Sequence, residues 1–305
     1  MEREALVKYR RFLKRRNYST HTIKTYMNTL EHFLNWLPLP VAEVTSSQVS
    51  AYIEFLLGQG LTPKTIHCRL DSVRGFFTYL NQEEETPRSN PVKKGSALRL
   101  ARPLPRYLKD EEVTQLFSLI QKGRDRAIFM LMLRCGLRVE EVAHLRLQDL
   151  DLSQRRILVC RGKGNKDRVV YISPDAERAL RDYLKSRSSS KVQEIFLVNK
   201  GTCRGMPISV RGIQKRMEYY ARKAGLEISC HHLRHTMATQ LLNADADLVT
   251  IQDLLGHTRI KTTQRYAKIS NVKVQRDYYK AMNLILQKAS IENRETSIHE
   301  LNKNY

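Results

Sequence analysis

Arg138 stands in the run Cys135-Gly136-Leu137-Arg138-Val139-Glu140-Glu141, where Gly136 closes an apolar helical pattern over Ile128 to Leu133 and Arg138 opens the next helix. At such a turn a planar guanidinium can present its fork to two non-bridging oxygens of a phosphate. Glu141, one helical turn on, is placed to orient it. A denser cationic run, His231-His232-Leu233-Arg234-His235-Thr236, sets His231 and Arg234 three apart on one helix face, with Leu233, Met237 and Leu241 as the buried stripe. His231 and His235 have the i, i+4 spacing of a zinc-binding helix, but the glutamate of H-E-x-x-H is missing, and no metal is expected. Leu254-Leu255-Gly256-His257 places His257 just beyond a glycine helix stop, and Tyr266 follows nine positions later. A phenol is a poor nucleophile until nearby cations stabilise its phenolate. Together these residue types suit the clamping of a phosphate beside a protein nucleophile. The sequence has no G-x-x-x-x-G-K-[ST] loop, no G-x-G-x-x-G, no G-x-S-x-G elbow and no acidic cluster suited to two magnesium ions. Chemistry on nucleic acid without ATP or metal is the route left open, and no cofactor is expected.

The order of the motifs carries more than any one of them. G-L-R-x-x-E, then Gly162-Lys163-Gly164-Asn165-Lys166-Asp167, then H-x-L-R-H-T, then L-G-H and a tyrosine nine positions on is an ordered series in which the chain resembles the tyrosine recombinase (phage integrase-like) family, most closely its Xer-type bacterial members. The resemblance covers residues 106 to about 285. The segment Asn17-Tyr18-Ser19-Thr20-His21-Thr22-Ile23 through Tyr26 is similar to the start of that family's helical core-binding domain. The resemblance implies that Arg138 and Arg234 hold the scissile phosphate and its transition-state charge. Lys163 would protonate the departing 5′ oxygen of DNA, and His231 would assist proton transfer at the tyrosine. By the same resemblance His257 hydrogen-bonds the phosphate, Glu141 is a supporting acid, and Tyr266 is the nucleophile that forms a 3′-phosphotyrosyl bond. Glu140, where many relatives carry serine, and Cys135, where threonine is common, depart from the pattern at positions that bear on packing.

Positioning these groups requires elements from most of the chain. The first eighty or so residues read as four helices: Leu6, Tyr9, Phe12 and Leu13; Ile23, Tyr26, Leu30 and Phe33 after the caps Ser19 and Thr20; Val49, Tyr52, Ile53 and Leu56 from Ser46 or Ser47 to Gly58; and Ile66 to Leu80 after Thr62-Pro63. Gln82 to Pro105, broken by Pro87, Pro91, Gly95, Pro103 and Pro105, reads as a linker. Beyond Asp110 helical patterns return around one β-like patch. Ile157 to Cys160 and Val169 to Ile172 flank the glycine-rich turn, and Ile195 to Val198 is expected as a third strand. Ser173-Pro174 starts a helix through Leu184, and Asp247 caps one ending at Gly256. The expected organisation is a helical DNA-binding domain over 1–85, a linker over 86–105, a catalytic domain over 106–289 and a polar tail over 290–305. The fold class is mainly α with a small antiparallel sheet, which by resemblance closes as a C-shaped clamp on DNA.

Composition fits this reading. The 305 residues, 41% of them apolar, suffice for two domains, and 53 Lys and Arg against 31 Asp and Glu give a formal +22 at pH 7, a field that gathers polyanions. Arg10, Arg11, Lys14, Arg15 and Arg16 crowd the first segment, and Arg211, Lys215 and Arg216 follow Ser209 on a helical pattern; these are candidate DNA contacts. Lys93 and Lys94 in the linker suit a phosphate backbone and plain solvation equally. The five cysteines are odd in number, far apart and never in C-x-x-C, which disfavours disulfides and zinc and suits a reducing interior. No apolar run reaches the roughly 20 residues that cross a bilayer, so no membrane is expected. A bacterial, cytoplasmic, nucleoid-associated protein follows by resemblance, working on duplex DNA with inverted half-sites as a dimer on each site and a synaptic tetramer, with or without a partner recombinase or accessory factor. The amphipathic stretch Val272 to Leu286 (Val274, Tyr278, Met282, Ile285) suits docking on a neighbouring protomer or on its own domain. Tyr278, Tyr279 and Tyr305 lack the L-G-H spacing. Dimer resolution, integration, excision and transposition remain open at this point, as do a catalytically silent architectural protein on the same fold and a type IB topoisomerase-like relaxing activity.

Overall fold

A computed structural model describes residues 2–83, 89–93, 98, 106–160, 167–187 and 191–256. Lys94, Lys163, His257, Tyr266, the 272–286 stretch and the 290–305 tail lie outside the described residues. The chain divides into two compact units, Met1–Arg102 and Pro103–Tyr305.

The first unit is built of α1 (Glu2–Arg15), α2 (Thr20–Trp36), α3 (Ser46–Gly58) and α4 (Pro63–Glu83). The chain turns between α1 and α2 at Asn17, which takes a left-handed φ of 58°, and Ser19 Oγ accepts the Thr22 amide at 3.1 Å to cap α2. Helix α3 is capped one residue earlier than Ser46: Thr45 accepts the Ser47 amide, and Gln48 Oε1 accepts the Thr45 amide at 3.0 Å. The apolar faces meet in a core of Tyr9, Leu30, Phe33, Tyr52, Leu56, Ile66, Leu70 and Phe76. Helices α1 and α4 touch closely, since a Cβ on Gly75 would lie 2.8 Å from Tyr9 Oη. Part of the expected linker belongs to this unit. Asn90 Nδ2 donates to Arg74 O at 2.9 Å, Arg74 Nε donates to Val92 O at 3.1 Å, and Val92 is buried against the helices.

The second unit contains α5 (Asp110–Ser118), α6 (Gly123–Arg134), α7 (Val139–Ala143), strands β1 (Leu150–Asp151), β2 (Arg156–Val159) and β3 (Arg168–Tyr171), then α8 (Pro174–Ser186), α9 (Val210–Lys223), α10 (Cys230–Asn243) and α11 (Leu248–Leu255). Helix α6 is apolar all round from Ala127 to Leu133 and every one of those residues is buried, as a central helix must be. The antiparallel sheet runs β1-β2-β3, with Ile157 opposite Val170 and Leu158 opposite Val169. Its third strand is β1 and not Ile195 to Val198. Ile195, Phe196 and Leu197 are buried and Val198 is half-buried, but their backbone is used elsewhere: Ile195 N–H goes to Leu145 O, Leu197 N–H to Tyr183 Oη, and Val198 N–H to Met206 O. Buried backbone groups need partners but not a sheet.

Candidate active site

Gly136 has φ +64°, and a Cβ there would meet Met237 Sδ at 2.9 Å and Leu255 Cδ2 at 3.1 Å. Glycine therefore serves twice, turning the chain after α6 and letting α10 and α11 approach it. Arg138 occupies the N-cap of α7, and Glu141 Oε2 accepts its backbone N–H at 2.7 Å while Oε1 accepts Nη1 at 2.8 Å. The carboxylate thus fixes both the backbone and the guanidinium of the same arginine. Arg234, 2% exposed on α10, donates from Nη1 to Gly136 O and from Nη2 to Leu255 O. Arg138 Nη2 reaches Leu255 O at 3.3 Å and Gly256 O at 3.4 Å. Gly256 ends α11 in the left-handed conformation with φ 58°. The carbonyls at a helix C-terminus carry partial negative charge and lack helical partners, and here they hold guanidinium groups in place.

Arg138, His231 and Arg234 line one cavity of about 300 Å³, together with Arg211 from α9. Helix α10 is held against the start of the unit by Thr236, whose buried Oγ1 accepts the Leu108 amide at 2.8 Å. At its N-terminus Ser229 N–H donates to His232 Nδ1 at 2.8 Å, so His232 works as a neutral cap. Burial and nearby Arg106 both lower its pKa. The rings of His231 and His235 lie 4.9 Å apart, centre to centre. Among the described residues no group of three potential ligands is placed to hold a metal ion.

Sequence reasoning missed one member of this cluster. Arg168 Nη1 and Nη2 donate to the two oxygens of Glu141 at 2.7 and 2.8 Å, and its Nε donates to Leu254 O at 2.9 Å. The signal was strand parity. In β3 Val170 faces inward and Val169 and Tyr171 outward, so Arg168 falls on the inner face, where a cation requires an acid. Burial pushes the Glu141 carboxyl up, but the hydrogen bonds and charge of Arg168, with those of Arg138, outweigh it and hold the pKa at about 2. Glu141 is ionised throughout the physiological range, and the four side chains Arg138, Glu141, Arg168 and Arg234 sum to a formal +2.

The expected DNA contacts separate into different kinds. Arg10, Arg11, Lys14 and Arg15 on α1, and Arg16 just beyond it, are exposed, with the Arg16 guanidinium 4.9 Å from the centre of the Phe12 ring. Arg211 and Lys215 are exposed on α9, Arg211 within 3.1 Å of Glu218. Lys93 is exposed. Arg216 differs from its neighbours: it donates to the fully buried Asp125 at 2.7 Å and to Tyr220 Oη at 2.9 Å, and it lies over the Tyr219 ring. Those contacts give Arg216 a second task beside any with DNA, because burying Asp125 without its cations is costly.

Residues 106–273 match the model of the phage integrase family, and residues 6–84 that of the phage integrase N-terminal SAM-like domain. A tyrosine recombinase XerA from Thermococcus kodakarensis is 33% identical over 88% of this chain and 91% of its own length. A tyrosine recombinase XerC from Thermodesulfovibrio yellowstonii is 34% identical over 82% of this chain and 86% of its own. Among solved structures, the Tn1549 transposon integrase in complex with transposon right end DNA superposes with a TM-score of 0.75 over 91% of this chain and 99% of that one, at 20% identity. At that identity the likeness is one of fold.

Proposed function

Because the chain belongs to the phage integrase family and is a tyrosine-type site-specific DNA recombinase, we propose that the cavity of Arg138, His231 and Arg234 is where a single DNA phosphate is held for attack by Tyr266. The architectural and topoisomerase-like readings are not favoured, since the relatives that match over most of the chain are recombinases. The observation that carries the site assignment is the convergence of two arginines and a histidine, Arg138 from the α7 N-cap and His231 and Arg234 from α10, on one cavity.

In this reading the phenolic oxygen of Tyr266 bonds to phosphorus as the bond to the 5′ oxygen breaks. His231 accepts the phenol proton, and Lys163 gives a proton to the leaving oxygen. Arg138 and Arg234 stabilise the charge that grows on the non-bridging oxygens; in acyl transfer, removing one donor to a developing oxyanion costs about 2.7–4 kcal/mol. His257 adds a further hydrogen bond. One phosphodiester is exchanged for another, so a free 5′-hydroxyl from a second strand reverses the step and completes exchange without ATP. The working assembly is a dimer on inverted half-sites and a tetramer at synapsis, joined through the 272–286 segment, with α1 and α9 contributing phosphate contacts, in a cytoplasmic setting.

A nicked duplex that loses its cleaved end on attack traps the intermediate as a protein–DNA adduct stable to detergent. Wild-type protein is expected to form it in EDTA. Tyr266→Phe is expected to bind the same duplex and form none. An adduct in that variant, or strict dependence of the wild type on a divalent ion, overturns the assignment.

A further inference from the structure

Arg168 stands two positions past Lys166 at the head of β3, directly after the segment that carries Lys163. Its side chain is 9% exposed. One guanidinium joins three stretches of chain, through both oxygens of Glu141 beside the α7 N-cap and through Leu254 O at the end of α11. The contact with α11 is tight enough that a Cβ on Gly256 would lie 3.0 Å from Arg168 Cδ. The segments so joined are those that lead to Lys163, Arg138 and His257. A lysine lacks the fork that makes these bonds at once. Stability alone is a poor reason for the arrangement, because a buried ion pair often does no better than an apolar replacement of similar size, and the inner face of β3 otherwise carries valine.

We propose that Arg168 is a positioning residue for strand cleavage: by gripping Glu141 and the α11 terminus it holds Arg138 in register with the head of β3 and the end of α11, which adjoin in sequence the stretches bearing Lys163 and His257. The proposal rests on the recombination chemistry above. It makes Glu141 the hub through which Arg168 acts, and it predicts that losing either partner misplaces the same arginine.

The test uses full-length protein and a duplex recovered by wild-type binding from a random-sequence pool, nicked at the cleaved position. Adduct formation is followed in single turnover at saturating protein, beside the dissociation constant and the thermal unfolding curve. Arg168→Met is expected to slow cleavage roughly a hundredfold, the size of loss that a misplacement of about 1 Å brings. Its affinity for the duplex should change by less than about tenfold. Arg168→Lys should fall between Arg168→Met and wild type. Glu141→Gln should slow cleavage as well, and the double variant should be little slower than the worse single one, because residues acting through one contact are not additive. Wild-type cleavage rates in folded Arg168→Met, or losses that multiply in the double variant, overturn the proposal. So does failure of both Arg168→Met and Arg168→Lys to unfold cooperatively, which would make Arg168 a residue of the fold alone. A wild type that forms no adduct defeats the underlying chemistry and is thereby told apart from these outcomes.

Discussion

The unit of α1 to α4 is filled largely by rings. Tyr9, Phe33, Tyr52 and Phe76 are fully enclosed, with Phe33 and Tyr52 packed edge to face at 4.9 Å and Trp36 5.0 Å from Tyr52. Apart from its tyrosines, its only buried polar side chain among the described residues is Ser72, and none of its described arginines or lysines is fully buried. The unit that holds the candidate site instead buries Asp125, Glu177, Arg234, Thr236 and Thr239 within an otherwise aliphatic and aromatic core. The first arrangement is what a small helical module needs, since aromatic pairs supply large burial, and the Tyr52 hydroxyl lies 3.0 Å from His32 Nδ1. The second costs desolvation at every charge and is only tolerated where each is paired. In the function proposed above, charge is kept inside where chemistry on a phosphate needs preorganised donors, and outside where a polyanion has only to be attracted.

The largest effects should come from crossing the two kinds of core. Asp125→Ala leaves Arg124 and Arg216 facing a buried gap and is expected to destabilise the second unit by about 3–5 kcal/mol. Phe33→Ala should cost the first unit about the same through the cavity it opens. Trp36 is the single tryptophan, so its emission during denaturant unfolding reports the first unit, while far-ultraviolet circular dichroism reports both. Phe33→Ala should shift the emission transition to lower denaturant, and Asp125→Ala should leave emission in place while displacing part of the dichroism signal. Emission that moves equally in both variants would break the comparison, because it would mean that the two cores unfold as one.

A smaller effect separates the units by pH. The Glu141 pKa is depressed from about 4.5 to about 2, so its contribution is complete above about pH 4.5 and is lost as the pH falls through the folded value. A shift of that size corresponds to about 3 kcal/mol. The stability difference between wild type and Glu141→Gln should therefore be near that figure at neutral pH and shrink between about pH 4.5 and 2, as read by dichroism. Trp36 emission should show no such difference. A constant gap across that range would mean that the carboxylate is not held by Arg138 and Arg168 as described.

Much of this was legible before the structure because local signals are strong where one residue does one job. Ser19, Pro63, Gly136, Asp247 and Gly256 each sit where their own backbone preference ends or starts a helix. The convergence of Arg138, His231 and Arg234 was legible only through the order of motifs, since no spacing in the chain encodes a contact across about a hundred residues. Arg168 was missed because its role depends on the inward parity of β3 and on a carboxylate 27 positions away. Ile195 to Val198 misled because β-branched burial looks the same whether the backbone pairs in a sheet or with Leu145, Tyr183 and Met206.

The smallest expected effect is also the sharpest within a single helix. Lys215 and Arg216 are adjacent on α9, and charge alone makes them equivalent. Lys215 is exposed, whereas the Arg216 guanidinium is engaged with Asp125 and Tyr220. If the exposed cations contact phosphates, Lys215→Gln should lower the slope of log affinity against log salt by about one and leave the unfolding curve unmoved. Arg11→Gln on α1 should behave in the same way. Arg216→Gln should do the reverse, keeping the salt slope while shifting the dichroism transition, because a buried carboxylate has lost one of its two cations. Fluorescence anisotropy with one labelled duplex, titrated between about 50 and 200 mM salt, measures all three variants. A slope change in Arg216→Gln without loss of stability would place that side chain among the DNA contacts and remove the line drawn here between charge that attracts and charge that holds the fold.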